Sequence, residues 1–324
     1  RDKIVLGPRR RTPRQCWPQH GHRARGEHEA VRIVLDVLSV DAVDLNLGCP
    51  QECAREGGYG AFLQEEPLVA AACVRALCTA AAPLPVLCKI RLLDSVERSV
   101  AFARCVEEAG CSLLTVHCRQ RAAKHDGPPD YAHLAELVAV LRVPVVVNGG
   151  IACRTQAEAA IARTGAVAAM AATALLRCPR AFAELGHGED ACNPAEMALE
   201  YLRFAERFPP PSPLYIRKHL RWMFRADLQQ SYVEAHAGWL EGKDVDRADW
   251  RARAWTFLEQ NYLSEVWQFR ELVRFIAHHQ GLELGEEHEE QPVLSLREIR
   301  KGKCSSDDTE DEACQSLDWS VDFA

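Results

Sequence analysis

One cysteine stands where a thiol could take part in acid–base chemistry. Cys49 follows the apolar run VDLNLG, and Pro50 starts a turn directly after it. Further along, Gly57 and Gly60 allow the backbone to approach a ligand closely. A thiol with an ordinary pKa of about 8.5 can act as a nucleophile or as a general acid. No histidine stands near Cys49 in the sequence, which disfavours a protease-like pair, and a loop cysteine without a chemical role is the alternative.

Cationic side chains end the next two strand-like runs. Lys89 lies in VLCKIRL, and a lysine at the end of an apolar strand must either reach solvent or meet an anion. His117 and Arg119 hold the corresponding place one unit later, in LLTVHCR. Each signal is weak by itself, but together they indicate an anionic ligand at the strand ends.

A glycine-rich turn follows a third strand-like run, VPVVVN. It consists of Asn148, Gly149 and Gly150, and it stands shortly before a helical stretch. Backbone N–H groups in such a turn can hold a phosphate. With the cations above, the turn predicts a phosphorylated cofactor that is bound across the mouth of a barrel.

The elements that must position these residues alternate between short apolar runs and helical stretches. Strands are predicted at 43–48, 86–92, 113–119 and 143–151, with a weak last strand near 171, and helices at 67–78, 96–110, 131–142 and 155–165. Repeated βα units with continuous apolar strands predict a parallel sheet that is covered by helices. In a (β/α) barrel the carboxyl ends of the strands form the active-site face, so the polar residues above should gather at one rim.

Composition limits the class of protein. The 324 residues are 48% hydrophobic and 26% charged, which is typical of a globular protein, and the formal net charge is −7. Nucleic-acid binding would therefore need local basic patches. No apolar run reaches the roughly 18 residues that span a bilayer, and no secretory signal or zinc-finger spacing occurs. The 14 cysteines are expected to be free thiols rather than a disulfide framework.

Four zones organise the chain. Residues 1–30 are rich in Arg, Pro, His and Gly and are expected to be loop or disordered. Residues 31–185 carry the βα pattern. Residues 195–280 are helical and hold five of the seven tryptophans, which a packed helical bundle would use in its core. Residues 283–324 are acidic and predict a disordered tail.

The motifs LNLGCPQ, YGAFLQ, CKIRL, LLTVHCR and PVVVNGGI occur in this order and resemble the flavin-dependent tRNA-dihydrouridine synthases. YGAFLQ and the segment PSPLYIRKHLRWMF are most similar to the eukaryotic branch that acts on D-loop uridines sixteen and seventeen. The resemblance runs from about residue 31 to 225. It implies a TIM-type (β/α) barrel followed by a smaller helical domain, with FMN as cofactor, NADPH or NADH as reductant and tRNA as partner.

The resemblance also implies roles for single residues. Cys49 matches the cysteine that protonates C5 of uracil while reduced FMN delivers hydride to C6. Asn46 matches the asparagine that hydrogen-bonds the flipped uracil, and Lys89 matches the lysine beside the flavin ring. His117 and the 148–150 turn match contacts to the ribityl chain and the phosphate of FMN, and Arg119 is expected to contact the substrate.

A basic helical face is expected to hold tRNA phosphates. It contains Arg217, Lys218 and Arg221, with Arg225 one turn further on. Phosphate contact combined with neighbouring aromatic rings suits RNA recognition. The alternative is an ordinary solvated helix face.

The sequence departs from the family pattern at three places. Only five strands are found where a closed barrel has eight, so the barrel is expected to be incomplete at its N-terminus, as in a fragment or a truncated product. Ala172 and Thr173 hold the places of the last phosphate turn, and only Thr173 offers a side-chain donor. Cys118 and Gln120 replace the second and fourth residues of the family's His-Gly-Arg-Thr.

Three functions are compatible with these features. The first is an FMN- and NAD(P)H-dependent tRNA-dihydrouridine synthase, expected to be a cytoplasmic or nuclear monomer without a metal. The second is an inactive relative that keeps only tRNA binding. The third is another FMN barrel that acts on a small molecule, against which the tryptophan-rich basic C-terminal region argues.

Overall fold

The computed structural model describes residues 3–6, 20–124, 126–182, 193–240, 250–259 and 263–282, together with Leu294 and Ile299. The chain divides into two compact units, residues 1–171 and 172–323. The boundary lies earlier than the sequence predicts for the end of the βα region, because the last short helix of that region groups with the second unit.

The first unit is built on six parallel strands that lie side by side in chain order. Sequential parallel order is the order of a (β/α) barrel wall, which confirms the predicted fold class. The strands are β1 (Lys3–Leu6), β2 (Ala42–Asn46), β3 (Val86–Leu92), β4 (Leu113–Gln120), β5 (Val145–Asn148) and β6 (Ala168–Met170).

Helices connect the strands of this unit. They are α1 (His20–Leu35), α2 (Glu52–Glu56), a 3-10 helix (Gly60–Glu65), α3 (Pro67–Ala81), α4 (Val96–Glu108), α5 (Tyr131–Val140) and α6 (Arg154–Thr164). Local signals set their ends. Ser95 caps α4 by accepting a hydrogen bond from the Arg98 N–H, and Gly165 ends α6 in the left-handed conformation with φ at 73°.

The N-terminal segment differs from the prediction of loop or disorder. Strand β1 pairs in parallel with β2, and α1 covers residues that the sequence pattern left without structure. Helix α1 packs against α3, and its Val31 is 1% exposed. The sequence of α1 does not reveal this helix, because Val31 is the one buried side chain among residues 26–35 and so gives no apolar periodicity.

Strand register separates the sheet into two different faces. One face carries Leu45, Cys88, Ile90, Val116 and Val147, which are at most 4% exposed and lie beneath the helices. The opposite face, here called the site face, carries polar side chains in successive layers. This alternation explains why the strands are strongly apolar in sequence and yet present chemistry on one side.

The second unit is helical. It contains α7 (Thr173–Arg177), α8 (Pro194–Arg207), α9 (Pro213–Leu240), α10 (Trp250–Glu259) and α11 (Val266–Gln280). Trp255, Phe224 and Phe269 are at most 2% exposed and lie in its core, so at least one tryptophan has the packing role that the sequence suggests.

The acidic C-terminal zone lies mostly outside the described residues, but one part of it differs from the prediction of a disordered tail. Ile299 is fully buried in the core of the helical unit. Its backbone carbonyl accepts a hydrogen bond of 3.1 Å from the Gln268 side chain. The chain therefore returns to the helical core within the predicted tail.

None of the helices in the described residues is both long and apolar enough to cross a membrane.

Candidate active site

Strand register places the predicted site residues in two layers of the site face. Asn46 pairs with Lys89, and Lys89 pairs with Thr115. One layer nearer the carboxyl end, His117 pairs with Asn148 on one side and with Arg91 on the other. Because paired residues of parallel strands share a face, these polar groups form a continuous surface that is two residues deep.

Cys49 lies in the tight loop after β2. The Gly48 N–H donates to the Asn46 side-chain oxygen at 3.0 Å, and the Leu47 N–H donates to the carbonyl of Lys89 at 2.8 Å. The carbonyl of Cys49 accepts from the Ala61 N–H at 2.9 Å. The half-buried thiol therefore belongs to a backbone that is fixed on both sides.

Gly60 is required for this geometry. Its φ is 63°, and a Cβ at this position would lie 2.7 Å from the Cys49 carbonyl oxygen and 2.9 Å from the Cys49 Cβ. Only glycine combines the left-handed conformation with such a close approach. The glycine-rich segment thus has a defined use, which is to let the 3-10 helix pack directly on Cys49.

His117, Arg119 and Gly149 form a compact group at the ends of β4 and β5. The His117 ring is 6% exposed, and its Nε2 lies 3.2 Å from the Arg119 guanidinium. Gly149 has φ at 112°, and a Cβ there would lie 2.7 Å from the His117 ring. The predicted cation pair and the predicted glycine turn are therefore in direct contact.

The side-chain amide of Asn148 donates to the carbonyl of Met170 in the neighbouring strand β6 at 2.8 Å. Tyr131 donates its hydroxyl hydrogen to the carbonyl of Gly149 at 2.8 Å. Gly150 is exposed and has φ at 72°. Ala172 and Thr173 lie exposed at the start of α7 and belong to the second unit.

Arg91 is a site residue whose role the sequence did not reveal. It is 2% exposed, and its Nε donates to the carbonyl of Gly48, next to Cys49, at 2.9 Å. Burial lowers the pKa of the Arg91 guanidinium, the charge of Arg119 lowers it further, and Cys49 acts in the opposite direction. Its position two residues after Lys89 was visible in CKIRL, but its backbone acceptors lie more than 25 residues away in sequence.

The segment between β4 and α5, here called the β4–α5 loop, lies against these residues. Arg91 also donates to the carbonyls of Gln120 and Lys124, at 3.3 and 2.6 Å. Arg119 donates to the carbonyl of Gly127 at 2.8 Å. Two arginines of the sheet thus hold the loop by its backbone. A cavity of about 200 Å³ lies under the loop, next to Cys118, Asp130 and His133.

Other thiols near the site have different surroundings. Cys118 is fully buried, and desolvation raises the pKa of its thiol to about 12. It therefore remains protonated and inaccessible at neutral pH. Cys53 on α2 is exposed and lies four residues after Cys49. Cys49 alone among these three combines partial exposure with a backbone fixed at the site face.

The predicted basic face of the helical unit is divided by burial. Arg217 is 6% exposed, and burial lowers the pKa of its guanidinium. Arg221 forms an ion pair of 2.8 Å with Glu259. Lys218 and Arg225 are exposed. The basic face is therefore not continuously exposed, because the same stretch of α9 also packs against α10. A contact of Arg217 or Arg221 with tRNA stays a prediction.

The donor set on the site face fits a flavin phosphate. Lys89, His117 and Arg119 supply cationic or hydrogen-bonding side chains, and Gly149 and Gly150 present a backbone turn beside them. Within the part of the chain that the structure describes, no group of three or more His, Cys, Asp or Glu side chains could hold a metal ion.

Comparison with known proteins gives one family. The sequence profile described as Dihydrouridine synthase (Dus) matches residues 21–232. The chain is 37% identical over 193 residues to the mouse (Mus musculus) protein named tRNA-dihydrouridine(16/17) synthase (NAD(P)(+))-like, which covers 58% of this chain and 39% of the mouse protein. It is 31% identical over 235 residues to tRNA-dihydrouridine synthase B of Xanthomonas axonopodis, covering 69% and 66%.

The chain thus spans well under half the length of the mouse relative that it matches. Among solved structures, N-acetylneuraminate lyase from Mycoplasma synoviae aligns with 86% of this chain and 88% of its own, at 11% identity and a TM-score of 0.35. That score is too low to establish a common fold.

Proposed function

Because the chain belongs to the dihydrouridine synthase family, we propose that it reduces the C5=C6 double bond of a D-loop uridine in tRNA. FMN is the proposed hydride carrier, and NADPH or NADH is the proposed reductant. The observation that supports this most directly is the position of Cys49, which Gly60 and the Ala61 N–H fix at the edge of a polar sheet face.

In this proposal Cys49 is the proton donor to C5 of the uracil. A general acid must reach its target atom within hydrogen-bond distance, so a fixed backbone around the thiol is more useful than a mobile loop. Asn46 uses its side-chain oxygen to hold Gly48, which leaves the amide nitrogen as the group that donates to a uracil carbonyl.

The proposed cofactor residues lie on the adjacent strands. Lys89 would face the flavin ring, where its positive charge stabilises an anionic reduced flavin. His117, Arg119 and the Gly149–Gly150 turn would hold the ribityl chain and the phosphate. The bound cofactor supplies a hydride to C6 of the uracil, and the protein orients the base and supplies the proton.

Exposed residues of the helical unit are the proposed contacts to tRNA. Lys218 and Arg225 are exposed on α9, and the Arg225 guanidinium lies 5.2 Å from the centre of the Trp222 ring. Tyr215, three residues before Lys218, is 50% exposed. Alternating cations and aromatic rings on one helix suit phosphate contact together with base stacking.

The test is a reconstituted reaction with unmodified tRNA, FMN and NADPH, followed by mass spectrometry of the nucleosides. We expect dihydrouridine in the product from the natural chain. Cys49→Ala should lower its rate of formation roughly a hundredfold or more, the usual contribution of a general acid. Cys53→Ala, the matched control on α2, should retain full activity.

Full activity of Cys49→Ala would contradict the assigned proton donor. Protein that binds tRNA but takes up no FMN, judged by its visible absorbance, would contradict the proposed enzyme and favour an inactive tRNA-binding relative. Reduction of a free pyrimidine without tRNA would favour the small-molecule alternative.

A further inference from the structure

We propose that Arg91 is the positioning residue of Cys49, because it joins the Cys49 loop (residues 47–59) to the β4–α5 loop through backbone hydrogen bonds. This inference rests on the proposed role of Cys49 as proton donor. It assigns to the chain a contact between two loops that the family resemblance does not describe.

The guanidinium of Arg91 spans the two loops directly. Its Nε donates to the carbonyl of Gly48 at 2.9 Å, and one terminal nitrogen donates to the carbonyls of Gln120 and Lys124 at 3.3 and 2.6 Å. Each of these three acceptors is a backbone carbonyl. Its hydrogen-bonding capacity is therefore directed at backbone, which is a geometric role rather than charge neutralisation.

The backbone of Arg91 is held as firmly as its side chain. The Arg91 N–H donates to the Gln64 side-chain oxygen at 3.1 Å, and the Gln64 amide donates to the Arg91 carbonyl at 2.8 Å. Gln64 is 3% exposed and lies in the 3-10 helix that packs on Cys49. The same short helix therefore supports both the thiol and the residue that positions it.

A second arginine connects the β4–α5 loop to the 3-10 helix that packs on Cys49. Arg121, at the start of the β4–α5 loop, donates to the carbonyl of Ala61 at 3.4 Å, and its guanidinium lies 4.5 Å from the centre of the Phe62 ring. It also pairs with Glu65 at 3.4 Å. The β4–α5 loop is thus joined to the Cys49 loop by Arg91 and to the adjacent 3-10 helix by Arg121.

The chemistry of the side chain makes Arg91 hard to replace. A guanidinium has five N–H donors in a rigid planar fork, whereas an ammonium is a compact point charge on a flexible stem. Lysine would keep the charge beside Cys49, but it would not hold carbonyls of both loops in fixed directions. Lysine at this position consequently separates the effect of charge from the effect of geometry.

Other charged groups surround the same place and must be held constant. Lys89 lies on the same strand, and His117 and Arg119 lie on β4. Glu52 and Arg55 on α2 form an ion pair with each other. None of these residues is changed in the test, and all measurements are made at one pH.

The experiment measures alkylation of Cys49 by iodoacetamide, with Cys153, a partly exposed thiol that precedes α6 outside the Cys49 loop, as the internal reference thiol. Fragment-ion mass spectrometry separates the two positions, and the ratio of their rates is compared in the natural chain, Arg91→Met and Arg91→Lys. We expect the ratio to rise roughly tenfold in both variants, the effect of losing one hydrogen bond from a charged donor. Arg98→Met is the matched control, since Arg98 is exposed and pairs with Asp94 and Glu65 outside the Cys49 loop.

An unchanged ratio in folded Arg91→Met would overturn the positioning role. A normal ratio in Arg91→Lys alone would show that charge suffices and would equally overturn it. If Arg91→Met does not fold, Arg91→Gln is measured instead, and failure of both to fold would assign Arg91 to the stability of the sheet and count against the proposal. The assay needs neither flavin nor tRNA, so its failure is distinguishable from failure of the proposed reaction.

Discussion

Arginine residues make different contacts in the two units. In the sheet unit, Arg91 and Arg119 meet at the strand ends, and each binds backbone carbonyls of the loop above. In the helical unit, Arg217 is buried and Arg221 pairs with Glu259, while Lys218 between them is exposed. Basic residues that the sequence places close together thus converge on the candidate site in the sheet unit, whereas those of the helical unit are separated by burial and ion pairing.

The difference comes from the periodicity of each structure. Parallel strands in register bring the same position of every strand to one edge, so cations that end successive strands must converge. A helix turns by about 100° per residue, so neighbouring cations point in different directions, and packing decides which of them remain exposed. A run of basic residues on a helix is therefore a weaker predictor of a binding face than cations at successive strand ends.

The largest expected effect comes from breaking the sheet site at Gly60. Gly60→Ala combines a left-handed φ of 63° with a contact of 2.7 Å to the Cys49 carbonyl oxygen. We expect dihydrouridine formation to fall at least tenfold and the free energy of unfolding to fall by about 2–4 kcal/mol, from backbone strain together with overpacking. Nucleoside mass spectrometry and urea unfolding measure the two effects.

Gly127→Ala is the matched control, because Gly127 has φ at 71° and no atom within 4 Å of the added Cβ. Its free energy of unfolding should fall by only about 1 kcal/mol, which is the cost of the left-handed conformation for alanine. Equal losses in the two variants would show that conformation alone accounts for Gly60, and that its contact with Cys49 is unimportant.

A smaller effect is expected in the helical unit. Substitution of Lys218 should weaken tRNA binding, whereas substitution of the adjacent Arg217 should not. Lys218→Ala removes an exposed cation, so its affinity for tRNA should fall about threefold and the salt dependence should lose about one phosphate contact. Arg217→Met should leave binding unchanged and alter the free energy of unfolding by no more than about 1 kcal/mol, because a poorly paired buried charge contributes little.

Fluorescence anisotropy at several salt concentrations measures both affinities. Loss of tRNA binding in Arg217→Met with normal stability would restore the continuous basic face that the sequence suggested.

The smallest expected effect concerns Glu107. Its carboxylate holds the turn between α5 and β5 by hydrogen bonds to backbone, as Arg91 holds the β4–α5 loop. Glu107 accepts from the backbone N–H groups of Arg142 and Val143 at 2.7 and 2.9 Å. Burial raises the pKa of the Glu107 carboxyl, but these bonds and the Arg142 charge outweigh burial, so the pKa lies below its ordinary value.

A lowered folded-state pKa stabilises the protein above the unfolded-state value of about 4.5, and this stabilisation is lost as the pH falls through the folded-state pKa. Glu107→Gln should therefore cost about 1 kcal/mol at pH 7 and less at pH 3, where more of the Glu107 carboxyl is protonated. Urea unfolding of both proteins at the two pH values measures this, and an equal cost at both would assign the effect to packing.

Much of the sheet could be predicted from sequence, because β2 to β5 are apolar runs with polar residues at or near their carboxyl ends. Strand β1 and helix α1 could not, since their composition is basic and their structure depends on pairing with β2 and packing on α3. The convergence of Asn46, Lys89 and His117 on one face followed from the βα pattern. Their division into two layers required the register itself.

Two features of the structure could not be predicted from the neighbouring sequence. Arg91 was visible as a charge, but its acceptors at Gly48 and Lys124 are brought near only by the fold. The burial of Arg217 depends on α10, which lies more than 30 residues further along the chain. Spacing predicts which residues share an element, whereas exposure depends on what packs against that element.

The side chain of Gln64 has a consequence for how this region can change in length. Its amide bonds the N–H and the carbonyl of Arg91 as an adjacent strand would, at the place where the register between β3 and β4 shifts. The sheet therefore does not need β2 to continue past Asn46. A change in length of even one residue between Gly60 and Gln64 would separate the amide from Arg91, whereas substitutions at the exposed positions of α2 should be tolerated.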